Sequence, residues 1–88
     1  MIATTYALAR GIRLRREEDG SALLLVPEGI VTLNAPAAAA LEMLGNGARD
    51  FDAIVAGLAA DFDDPEGSLA TDVRVLLDDL AERGYLTR

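Results

Sequence analysis

The sequence predicts an α+β fold in which a three-stranded antiparallel sheet precedes a three-helix bundle. Apolar and polar residues alternate from Gly11 onward, the period of a half-buried strand. After Asn34 the apolar residues recur at three- and four-residue steps instead, the period of a helix. Turn-forming clusters separate the segments. This order of elements is that of a winged helix-turn-helix module.

In the first strand Ile12 and Leu14 alternate with Arg13 and Arg15. Glu17-Glu18-Asp19-Gly20-Ser21 then forms a hairpin turn, with Asp19-Gly20 its strongest signal. Ala22 to Val26 is a short apolar run read as the second strand. Pro27-Glu28-Gly29 breaks it, and Ile30-Val31-Thr32-Leu33 is the third. Met1 to Arg10 show no clear period, and this segment is read as flexible or as a cover for the sheet edge.

Asn34 is a good helix N-cap, and Pro36 lies in the first turn, where its missing N–H costs nothing. The first helix covers Ala35–Leu44 and ends at Gly45-Asn46-Gly47. Asp50 caps the second, whose apolar stripe is Phe51, Ile54, Val55, Leu58 and Phe62. Asp64 and Pro65 read as the cap and first residue of a third helix from Glu66 to Arg83. Leu69, Val73, Leu76 and Leu80 form its stripe, widened by Leu77. Gly84 is the expected left-handed terminator, and Tyr85-Leu86 is a tail able to fold back on the core.

The 88 residues suit one domain, 1–88, with 51% hydrophobic residues to build a core. Much of that fraction is alanine and only 5% of the chain is aromatic, so modest stability is expected. Without an apolar amino-terminal signal or a membrane-length apolar run, a cytoplasmic location is the expectation.

There are no histidines and no cysteines, which removes the commonest metal ligands and the thiolate nucleophile. The acidic run Asp61, Asp63, Asp64 and Glu66 lacks the ligand spacing of a calcium loop and is explained by capping. Asp78 and Asp79 diverge by about 100° on a helix and do not form a carboxylate pair. Ser21 and Ser68 have no imidazole to activate them. No enzyme and no bound cofactor are expected of this chain.

The net charge is −7, and the excess lies beyond Asn34; before it, Arg10, Arg13, Arg15 and Arg16 balance Glu17, Glu18, Asp19 and Glu28. A DNA-reading winged helix needs a basic recognition helix. Here Asp50, Asp52 and Asp61 mark the second helix, and Asp72, Asp78, Asp79 and Glu82 the third, against Arg74 and Arg83. Nucleic acid is therefore an unfavoured partner. The uncharged segment Ile30–Leu33, free of proline, is either an inner or covered strand or an edge open to an extended peptide. On the third helix Leu77 and Ala81, flanked by Arg74 and Asp78, extend the apolar surface sideways, a shoulder that either packs on the sheet or forms one wall of a groove beside the third strand.

The run Leu25-Val26-Pro27-Glu28-Gly29-Ile30-Val31-Thr32-Leu33-Asn34, followed by an alanine-rich helix with Leu41 and Leu44, resembles the PqqD proteins of pyrroloquinoline quinone biosynthesis. The similarity continues through Phe51-Asp52-Ala53-Ile54-Val55, Leu58, Phe62, Asp72-Val73, Leu76-Leu77, Leu80 and Gly84-Tyr85-Leu86. The resemblance implies a peptide chaperone that binds a ribosomal precursor peptide by strand addition and presents it to a radical S-adenosylmethionine enzyme. It implies contacts from Ile30, Val31, Thr32 and Leu33, with Arg74, Leu77, Asp78 and Ala81 opposite. The iron–sulfur cluster and S-adenosylmethionine belong to that enzyme. Recognition of another modified peptide, such as a lasso precursor, is the alternative; monomer and dimer are both open.

Overall fold

The computed structural model describes residues 4–88. Its strands are β1 (Thr5–Leu8), β2 (Arg13–Arg16), β3 (Ala22–Val26), β4 (Gly29–Leu33), β5 (Arg49–Asp50) and β6 (Leu86–Thr87). Its helices are α1 (Ala35–Met43), α2 (Phe51–Asp61) and α3 (Leu69–Glu82). The α+β expectation therefore holds, with a second sheet that the sequence did not announce.

The larger sheet has the order β2-β3-β4, antiparallel throughout. Asp19 accepts from the Ser21 backbone N–H at 3.0 Å and stiffens the β2–β3 turn. The β3–β4 turn is tighter. Pro27 and Glu28 alone separate the paired residues Val26 and Gly29. Side chains alternate across the sheet, so Ala22, Leu24 and Leu33 enter the core while Leu23, Leu25, Ile30 and Thr32 point the other way.

The helices cover the inner face. Asn34 Oδ1 accepts from Ala37 N–H at 3.0 Å and Asp50 Oδ1 from Ala53 N–H at 2.7 Å, the two caps expected. Leu41, Ile54, Leu58, Leu77 and Leu80 pack together beneath the sheet. At the end of α3 the N–H of Gly84 bonds Ala81 O and that of Tyr85 bonds Leu80 O. This paired arrangement needs Gly84 at its φ of +86°. It also turns Tyr85 and Leu86 back into the core.

The start of α3 corrects the sequence reading. Gly67 N–H bonds Asp64 O, and Gly67 has φ +71°, so Asp64-Pro65-Glu66-Gly67 is a turn, not a first helical turn. The helix begins only at Leu69. Asp64 still acts as an acceptor there, taking Leu69 N–H at 3.1 Å across the turn.

The smaller sheet, β5-β1-β6, corrects the reading of the amino-terminal segment. Thr5–Leu8 is a strand clasped between two-residue strands from the middle and the end of the chain. Its Tyr6 is fully buried. Residues 1–3 of the segment expected to be flexible lie outside the described residues.

Candidate peptide-binding site

The β4 strand ends the larger sheet, with β3 as its one strand neighbour among the described residues. Its hydrogen-bonding direction follows from the turn. A two-residue loop closes on a pair that exchanges both backbone bonds, and bonding then alternates along an antiparallel ladder. With Val26 facing Gly29 as the closing pair, Val31 and Leu33 also bond inward to Leu24 and Ala22. Ile30 and Thr32 consequently turn their N–H and C=O groups outward, to the free edge. Both side chains are exposed, Ile30 by 62%.

The other edge of this sheet, β2, carries Arg13, Arg15 and Arg16. Charge on an edge strand opposes further strand pairing. The uncharged β4 edge is the one left available.

Helix α3 lies alongside that edge. At one end Tyr85 Oη donates to Glu28 Oε2 in the β3–β4 turn at 2.9 Å. This bond, with burial second, raises the Tyr85 phenol above its ordinary value. At the other end Leu69, Asp72, Val73 and Leu76 meet Asn34, Pro36 and Ala37 around a cleft of about 210 Å³. Leu69 and Leu76 are only partly buried, leaving apolar surface open to a visitor.

The four helix residues expected in the groove do not line this cleft. Leu77 is fully buried in the core. Arg74 stacks on the Phe51 ring, 4.0 Å from its centre, and reaches Thr4 Oγ1 at 3.4 Å. Asp78 accepts from Tyr6 Oη at 2.6 Å and from Arg88 at 3.0 Å. Arg74 and Asp78 therefore occupy the flank facing β1 and the chain end. Ala81, about one helical turn after Asp78 and two after Arg74, shares that flank. Each residue turns about 100°, so Leu76 points about 160° away from both Arg74 and Asp78. The strand half of the expected site, Ile30, Val31, Thr32 and Leu33, does lie on the open edge, although Leu33 is buried and Val31 partly so.

The electrostatics separate the two flanks as well. The bond from Tyr6 holds the Asp78 carboxyl below its usual range against a smaller opposing effect of burial, with help from Arg88. Burial, then Asp78, raises the Tyr6 phenol. On the cleft flank Asp72 is exposed and accepts from the Ser68 hydroxyl at 3.2 Å.

Known proteins match both the sequence and this arrangement. A relative from Rhizobium meliloti (strain 1021), named PqqA binding protein, is 38% identical over 85 residues, covering 96% of this chain and 86% of its own. One of the same name from Kluyvera intermedia is 38% identical over 81 residues, covering 91% and 86%. The fold is similar to the solution structure of the PqqD part of Methylobacterium extorquens PqqCD, described as a stand-alone recognition element for ribosomally synthesized and post-translationally modified peptides. The TM-score is 0.77 at 29% identity, covering 96% of this chain and 89% of the other. The family described as coenzyme PQQ synthesis protein D matches residues 21–86, a span that runs from the first residues of the β3–β4 hairpin through the cleft to the buried tail. With the hairpin, the helical cover and these relatives in agreement, the chain belongs to the PqqD family.

Proposed function

We propose that this chain is a non-enzymatic peptide chaperone. It holds the precursor peptide of pyrroloquinoline quinone as a strand added to β4 and presents it to the radical S-adenosylmethionine enzyme of the pathway. The observation that carries the reading is the uncharged β4 edge, with Ile30 and Thr32 directed outward beside an apolar cleft. Relatives named for binding PqqA support the identity of the peptide. A cytoplasmic place, where ribosomal peptides emerge, belongs to the same reading, and the edge is complete within one chain.

Magnitudes assign the parts. Ile30 and Thr32 offer two N–H and two C=O groups, and main-chain bonds contribute about 1 kcal/mol each. That sum of about 4 kcal/mol corresponds to a Kd of about 1 mM at best. Micromolar binding needs about 4 kcal/mol more, which two apolar side chains buried at about 2 kcal/mol each can supply. The cleft formed by Leu69, Val73 and Leu76 with Pro36 and Ala37 is the place for them. In this proposal those residues and Asp72 replace Arg74, Leu77, Asp78 and Ala81 as the helix wall.

The test is a fluorescence anisotropy titration of labelled precursor peptide. The parent chain should bind it, and Thr32→Pro, which removes an outward donor from the edge, should bind at least tenfold more weakly while keeping its far-UV spectrum. Equal affinities in the two proteins contradict strand addition. A lasso precursor titrated in parallel should bind more weakly, since the family match is to the quinone pathway.

A further inference from the structure

Among the described residues, no element covers the outer face of the larger sheet. The core is built from Ala22, Leu24 and Leu33, with Leu14, Val26 and Val31 packed against it, all on the inner face. The opposite face carries Leu23 and Leu25, both half-buried, and the exposed Ile30. Register places Arg13 directly across from Leu25 and Arg15 across from Leu23. An apolar strip therefore runs across β3 and β4 with two arginines along its β2 side.

Those arginines are the positive charges of this face in an acidic chain. Arg16 pairs with Glu42, Arg83 with Asp79 and Arg88 with Asp78. Arg13 makes no ion pair among the described residues, and Arg15 approaches Glu17 only at 4.0 Å. Guanidinium groups favour bidentate contact with carboxylates. Their stems can lie over Leu23 and Leu25, but Ile30, beyond their reach on the far strand, stays 62% exposed.

We propose that this outer face is the docking surface for the enzyme that modifies the peptide, whose own contact patch is apolar and rimmed by carboxylates. The inference rests on the strand-addition reading and gives it a second half. Side chains of an added strand alternate between two faces. Those directed inward enter the cleft beside α3 and are held. Those directed outward continue the strip beyond Ile30 and Thr32 and are offered to whatever covers it. One sheet thus presents peptide and docking surface together, so the enzyme meets the loaded sheet as a single composite surface.

The experiment titrates the purified radical S-adenosylmethionine enzyme of the same pathway into the peptide-loaded chain by calorimetry, with peptide affinity measured separately. Arg13→Glu and Leu25→Thr should each bind the enzyme at least tenfold more weakly, with peptide affinity within twofold of the parent. Arg49→Glu, which makes the same charge change on β5, should bind the enzyme as the parent does. Unchanged enzyme affinity in Arg13→Glu and Leu25→Thr overturns the proposal, as does an equal loss in Arg49→Glu, which reduces the effect to net charge. If the parent fails to bind the peptide, strand addition falls instead, and titrating the enzyme into the free parent and the same variants decides the docking face.

Discussion

The two flanks of α3 differ in residue type and are put to different uses. One flank is consumed by the fold: Arg74 covers Phe51, and Asp78 receives Tyr6 and Arg88, which ties the start and end of the chain to the helix. The other flank, with Leu69, Asp72 and Leu76, borders the cleft next to β4 and, among the described residues, closes on no strand. A helix that serves as both core element and groove wall must satisfy one side completely so that the other can stay open. The charged groups on the closed flank are partnered for that reason, and the apolar groups on the open flank are left partly exposed.

The sharpest way to break this contrast is at Tyr6. Tyr6→Ala removes a fully buried ring and should cost about 3–5 kcal/mol, read as a lower denaturation midpoint. Where the protein remains folded, its peptide affinity should be close to the parent's. On the open flank the effects reverse. Leu76→Asp should weaken peptide binding tenfold or more with a melting temperature near that of the parent, because Leu76 is only partly buried.

Smaller effects sharpen the same division. Tyr6→Phe keeps the ring and deletes the bond to Asp78, costing about 1–2 kcal/mol. The pH profile should bear its signature. Asp78 has a depressed pKa in the folded protein, so its contribution is present above the ordinary carboxylate range and is lost as pH falls through the depressed value. Tyr6 has a raised pKa, so its contribution is present below the ordinary phenol value and is lost as pH rises through the raised one. Tyr6→Phe should flatten both limbs of a stability–pH curve measured by thermal melting. At the bottom of the scale, Asp79→Ala breaks only the exposed pair with Arg83 and should shift stability by about 0.5 kcal/mol or less.

Local chemistry made much of this molecule legible. The β2–β3–β4 sheet is two successive hairpins, and Asn34 and Asp50 cap where their residue types say they should. The smaller sheet was not legible, because β5 and β6 are two residues each and Tyr6 finds its partner 72 positions away. The start of α3 was ambiguous for a different reason. Asp-Pro-Glu suits both a helix start and a tight turn, and only the left-handed Gly67 decides between them.

The candidate site divides the same way. The open strand could be recognised by its lack of charge. The α3 residues that line the cleft could not, since the period of three to four residues identifies which residues enter the core without saying which flank then faces β4. Leu77 and Ala81 extend the core stripe toward β1, whereas Leu69 and Leu76 extend it toward β4. Distinguishing them required the position of β1, an element with no local signal.

Strand addition at β4 is tested most directly by amide hydrogen exchange at four consecutive residues. In the free protein the amides of Val31 and Leu33 should be protected by their bonds to β3, and those of Ile30 and Thr32 should exchange quickly. Adding the precursor peptide should slow Ile30 and Thr32 by tenfold or more and leave Val31 and Leu33 little changed. Fast exchange at Ile30 and Thr32 in the saturated complex, with protection appearing instead around Arg74 and Asp78, would contradict the account.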